Sequence, residues 1–123
     1  MNYVDGYVLP ISKKKLGVYK ALAQKASKVW RDHGALEYRE CVGEHLAVKF
    51  GKPFTRLAGT KPGETVVFAW IVFKSRAHRD KVNASVMKDP RLAEMMSESS
   101  MPFDPKRMGY GGFDIIVEEI GKK

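Results

Sequence analysis

Apolar and polar residues alternate along several short stretches of the chain and recur at helical spacing along two others. Tyr3 to Pro10 carries Val4, Tyr7, Val8 and Leu9 and ends at a proline, which suits a short strand. Ser12 then offers an N-cap before Lys13. Leu16, Tyr19, Leu22, Ala23, Ala26, Val29 and Trp30 follow at spacings of three and four, a continuous stripe along one helix, and Gly34 is placed to stop it in a left-handed conformation. Ala35 to Val42 reads as a second strand, with Leu36, Tyr38, Glu40 and Val42 on one face and Glu37, Arg39 and Cys41 on the other.

Thr65 to Lys74 is the clearest strand. Val66, Phe68, Trp70 and Val72 point one way and Val67, Ala69, Ile71 and Phe73 the other, so both faces call for cover. Ser75 caps a second helix reaching about Lys88, with Ala77, Val82, Val86 and Met87 inward. Pro90 opens a short helical turn through Met96, and a last strand runs from about Arg107 to Glu118. Between the second and third strands, Gly43 to Glu64 is longer than most connections. There Leu46, Val48 and Phe50 alternate with other residues, so a short extra hairpin is expected, with these side chains and Phe54 packed on the body or on a partner chain.

Strand, helix, strand, strand, helix, strand is the order of two split β-α-β units. It predicts an α+β, ferredoxin-like domain over residues 1–123, a four-stranded antiparallel sheet with both helices on one face. The third strand is apolar on both faces, and Tyr3, Tyr7 and Phe113 add bulk to the sheet, so the face left open by the helices is too apolar to stand bare. A second copy, sheet against sheet about a two-fold axis, is the economical cover, which makes the chain one half of a dimeric α/β barrel.

The stretches YVDGYVLPI, KVWRDHGALEYREC, GETVVFAWIVFKSRAHRDKVNASVMKDPR and MPFDPKRMGYGGF resemble the YbaA-like bacterial proteins, an uncharacterised family, from Tyr3 to about Val117. The resemblance implies the dimeric α/β-barrel superfamily and no assigned activity. Wider relatives that share only that fold include cofactor-independent and haem-degrading monooxygenases, muconolactone isomerases and chlorite dismutases. The step from Phe73 to His78 is similar to the strand-to-helix step of the monooxygenases, a weakly specific likeness.

Charge and composition narrow the partners. The formal net charge is +8, from 22 basic and 14 acidic residues, but the basic residues are interleaved with acidic ones. The densest run, Lys13 to Arg31, reads as a solvated helix face, so a nucleic-acid footprint is the lesser alternative. No apolar stretch approaches the roughly 18 residues of a membrane helix. Cys41 is the only cysteine, and with no signal-peptide pattern at the amino terminus it points to a cytoplasmic protein. His33, His45 and His78 show no metal-ligand spacing, so no metal or cofactor is expected; Gly109, Gly111 and Gly112 precede no helix and read as a close backbone approach.

The expected function is the binding of a small, partly apolar, anionic organic molecule between sheet and helices, with a cofactor-independent monooxygenase or isomerase as the alternative. The expected ligand residues are Arg76 and His78 at the start of the second helix, Asp5 and Tyr7 of the first strand, and Met87 at the apolar end. His78 or Asp5 would be the proton acceptor: a helix start favours anions, and a carboxylate inside an apolar strand must be paired or perturbed. Glu37, Arg39 and Glu40 read as a cluster of structural ion pairs, and Cys41 as a small buried apolar group.

Overall fold

The structure, a computed structural model, describes residues 2–96 and 101–121. The strands are β1 (Tyr3–Ser12), β2 (Glu37–Val42), β3 (Glu64–Phe73) and β4 (Gly109–Asp114), and the helices are α1 (Leu16–Asp32), α2 (Phe54–Ala58), α3 (Arg76–Met87) and α4 (Pro90–Met96). The strands form one antiparallel sheet in the order β2-β3-β1-β4, the ferredoxin-like arrangement. Helices α1 and α3 cover the face that carries Leu9, Val67, Ala69, Ile71 and Phe73, and these side chains are all buried.

The inward stripe of α1 is as its spacing predicts: Tyr19, Ala23 and Val29 are buried, with Leu16, Leu22, Ala26 and Trp30 packed beside them. Its lysines, Lys20, Lys25 and Lys28, are exposed on the opposite side. Gly34 ends the turn at φ +112°, where the Ala35 N–H reaches back to the Trp30 carbonyl at 3.0 Å. Ser12 makes no cap. It stays in β1, the Lys13 N–H bonds the Gly63 carbonyl, and a 3-10 turn over Lys13–Lys15 precedes α1. Ser75 does cap α3, accepting from the His78 N–H at 3.1 Å.

Other expectations are corrected. On α3, Ala77 and Met87 are exposed, and the residues meeting the sheet are Arg79, Val82, Asn83 and Val86, a stripe half polar. The connection after β2 holds no hairpin. It forms the short helix α2, which Pro53 opens in an extended conformation and Gly59 closes at φ +65°. This helix contacts β1 and β3 on the outer face of the sheet, where Phe54 meets Phe68 with ring centres 5.9 Å apart, while Phe50 is 96% exposed. Strand β4 runs from Gly109 to Asp114 and not from Arg107 to Glu118. Asp114 pairs with Tyr3, the first residue of β1, and one more bond runs from Ile115 N–H to the Asn2 carbonyl.

The outer face carries Phe68 (43% exposed), Trp70, Val72 and Phe113 (61% exposed). Phe113 lies over Gly6, at 3.3 Å from where a side chain there would begin. Cys41, expected buried, is exposed on this face, because β2 is an edge strand with only β3 beside it. Glu37 and Arg39 lie here too, paired at 3.4 Å, and Glu37 also accepts from the Trp70 indole at 2.7 Å.

Candidate functional site

A cavity of about 460 Å³ opens between the sheet and the helices. Its size falls within the roughly 300–1,000 Å³ of small-molecule sites. The sheet supplies Tyr7, Leu9, Tyr38, Glu40, Ala69 and Tyr110; α1 supplies Leu22, Ala26 and Trp30. The outer wall is Leu92, Met95 and Met96 of α4 with Met101, Phe103 and Met108 from the segment leading to β4. Methionine and aromatic walls of this kind adapt to irregular apolar shapes.

One polar row crosses the floor. The strand register places Glu40 of β2 opposite Ala69 of β3, Ala69 opposite Tyr7 of β1, and Tyr7 opposite Tyr110 of β4. Two interstrand steps of about 4.8 Å put the Glu40 and Tyr7 backbones about 10 Å apart, with the methyl group of Ala69 between them. Tyr7 and Tyr110 stack with ring centres 5.0 Å apart. The hydroxyls of Tyr19 and Tyr38 each donate to Glu40, at 2.8 Å to Oε1 and 2.8 Å to Oε2. A carboxylate has about four lone-pair positions, so each oxygen keeps one free. Burial raises the Glu40 pKa, against the two tyrosine hydrogen bonds, which lower it. Burial first, with Asp5 and other neighbours behind it, raises that of Tyr7 and keeps its phenol protonated. Among the described residues the Tyr7 hydroxyl has no hydrogen-bond partner.

The next row, Tyr38, Ile71, Asp5 and Gly112, places Asp5 beneath this cavity. Asp5 is fully buried. It lies 3.4 Å from Arg79 Nε and accepts from Asn83 and Tyr110 at 3.4 Å each; Trp30 in turn donates to Asn83 at 3.0 Å. Burial raises the Asp5 pKa, and Asn83, Arg79 and Tyr110 oppose that rise. Arg79 stays above β4 because Gly112 has no side chain: a Cβ there would stand 2.6 Å from Arg79 Nη2 and closer still to the Tyr3 hydroxyl, which Arg79 also bonds.

Of the residues expected at the site, Tyr7 and Met87 line the cavity, Met87 at its rim, and Asp5 lies behind Asn83 and Tyr110. Arg76 and His78 do not line it. Arg76 is exposed, 3.9 Å from Asp80, and the His78 ring accepts from the Lys74 N–H at 2.9 Å while its edge packs on Phe73. His33, the residue that closes α1, is held by Asp89 at 2.7 Å. The cavity wall holds no lysine or arginine among the described residues, so the expected anionic ligand finds no cation there. Glu40 was missed as a site residue: expected in an ion-pair cluster with Glu37 and Arg39, it lies on the opposite face of β2 and accepts from Tyr19 and Tyr38. Its signal was a lone carboxylate in phase with Leu36, Tyr38 and Val42.

The model of the family described as "Protein of unknown function (DUF1428)" matches residues 2–105. The chain belongs to this family. It is 39% identical over 119 residues to "Uncharacterized protein YbaA" of Escherichia coli K12, covering 97% of this chain and 100% of that protein. The YbaA protein of Shigella flexneri matches to the same extent. Among solved structures, a dimeric ferredoxin-like protein from an uncultured marine organism aligns with a TM-score of 0.60 at 10% identity, over 96% of this chain and 98% of that one. Rv0793 from Mycobacterium tuberculosis aligns with a TM-score of 0.57 at 12% identity over the same shares. At such identities the likeness is one of fold. No helix among the described residues is long and apolar enough to cross a membrane.

Proposed function

We propose that the protein is a homodimer, each chain of which takes a small, mainly apolar organic molecule into the cavity between sheet and helices. The observation that carries this reading is the cavity: about 460 Å³ walled by methionine and aromatic side chains, with one half-buried carboxylate, Glu40, as its polar anchor. A solvated gap of that composition exposes apolar surface that folding alone would close. The polar end of the ligand is then a hydrogen-bond donor or an acidic C–H, where an anion was expected from the sequence. The exposed aromatic patch on the outer sheet face supports the two-fold partner, as does the dimeric state of the marine fold neighbour. The single, exposed thiol of Cys41 suits a reducing compartment such as the cytoplasm.

A neutral solvatochromic dye, Nile red, tests the binding reading. It should bind with a blue-shifted emission, and Ala26→Phe or Leu22→Trp, which fill the space from α1, should weaken it at least tenfold with unchanged circular dichroism. Equal binding by both filled variants, or no binding by the parent protein, would refute the reading.

A further inference from the structure

We propose that Glu40 and Tyr7 form a proton-transfer site for an apolar carbonyl compound, Glu40 taking a proton from the carbon beside the carbonyl and Tyr7 donating to the carbonyl oxygen. The inference rests on the reading of the cavity as a ligand site and adds a substrate class to it.

The geometry supplies both halves of the reaction. A base for a carbon acid must face an apolar space, be held in orientation and keep a free lone pair. Tyr19 and Tyr38 orient the Glu40 carboxylate from two sides and leave each oxygen one lone pair. The negative charge that leaves carbon arrives on the carbonyl oxygen, so a donor must stand opposite the base. Tyr7 stands in the same cross-strand row, separated from Glu40 by the low floor of Ala69, and its hydroxyl is uncommitted among the described residues. Stacking on Tyr110 fixes its ring. Burial supports both roles, raising Glu40 towards a stronger base and holding Tyr7 as a protonated donor.

The step balances without a further reactant. The C–H electron pair becomes the C=C bond of an enolate, the carbonyl π pair moves to oxygen, and the proton passes to Glu40. Return of a proton to the same carbon gives exchange, and return two carbons along a conjugated system shifts a double bond. Glu40 also lines a neighbouring cleft of about 540 Å³ whose wall includes Lys20, Gln24 and Ser27, which gives its proton a way to exchange with water.

The probe is 2-tetralone, a compact apolar ketone with acidic benzylic C–H bonds, followed by proton NMR in D2O while Nile red displacement reports its binding. The parent protein should accelerate deuterium incorporation at the benzylic carbon. The protein-dependent rate should rise with pH and level off once Glu40 is ionised, with its midpoint above 4.5, the ordinary value for this side chain. Glu40→Gln should lower the rate about 100-fold or more and Tyr7→Phe about 10–100-fold, with displacement of the dye changed only a few-fold. Displacement by tetralone without accelerated exchange would overturn the proton transfer alone, as would undiminished exchange in Glu40→Gln or a rate that never levels off with pH. No displacement up to the solubility limit, in a protein that binds the dye, would overturn the assignment of the substrate class. Failure of the dye itself to bind would overturn the cavity reading beneath it.

Discussion

Replacing Arg79 by methionine removes the one guanidinium that faces the fully buried Asp5 and leaves that carboxylate with only the long bonds from Asn83 and Tyr110. Breaking a buried pair from one side costs about 3–5 kcal/mol, because a charge is left buried without its partner. At an unfolding entropy of about 2.1 cal/mol/K per residue, this lowers the melting temperature of a chain of this length by roughly 12–19 °C. The loss depends on pH with a definite sign. Burial raises the Asp5 pKa in the folded protein, so the folded state binds more protons than the unfolded one from the ordinary value of 3.8 upwards, and stability falls as pH rises through that window. Arg79 opposes the rise. Without it the window extends upwards, so Arg79→Met costs less at pH 5, where Asp5 can take a proton, than at pH 8. Urea melts followed by circular dichroism at both pH values, at equal protein concentration, measure this directly. The double variant Asp5→Asn with Arg79→Met, which removes both charges, should recover at least half the loss at pH 8. A single variant within about 1 kcal/mol of the parent at pH 8, a larger cost at pH 5, or a double variant less stable than the single one would refute the reasoning.

Gly112→Ala places a methyl group against Arg79 and Tyr3 and should destabilise the fold by about 1–3 kcal/mol in the same melts; Gly51→Ala, strained by its own φ of +73° but with open space around it, should leave the Trp30 environment near the Asp5 network unchanged by fluorescence. Phe68→Glu puts a charge in the middle of the outer aromatic patch and should convert a sedimenting dimer, with more than about 1,000 Å² buried, into a monomer; a parent protein already monomeric at micromolar concentration would remove the dimer from the account. Arg107 holds the Glu64 carboxyl down to about 2. A depressed carboxyl stabilises the fold above its unfolded value of 4.5 and loses that contribution as pH falls towards 2, so Arg107→Met should flatten acid unfolding between those limits, and an unchanged acid limb would count against the pairing.

How far the sequence carries depends on whether a feature is periodic. The α1 stripe, the two apolar faces of β3, the stop at Gly34 and the cap at Ser75 are local patterns, and the structure keeps them. Helix α2 was hidden because Leu46, Val48 and Phe50 alternate like a strand, whereas Pro53 and Gly59 bracket only five residues, too few for a helical period to emerge. The extent of β4 is a matter of its pairing with β1, a fact that neither segment contains alone. The site shows the same divide. Tyr7 could be proposed from its strand. The Glu40, Ala69, Tyr7 and Tyr110 row, by contrast, exists only once four strands are in register. Arg79 and Asn83 carry no apolar signal, and only the orientation of α3 on the sheet brings them to Asp5. His78 and Arg76 looked suited to an anion from their place at a helix start, but that start faces away from the cavity wall.

The most direct test of the cavity reading is a methyl-resolved NMR titration of the protein with 2-tetralone. The account predicts shifts concentrated on Ala23, Ala26, Ala69, Met95 and Met108, whose methyl groups belong to the cavity wall and floor, with the outer-face methyls of Val4 and Val72 unmoved. Saturable shifts on Val4 and Val72 with Ala69 and Ala26 unmoved, or no saturable shift at all, would contradict it.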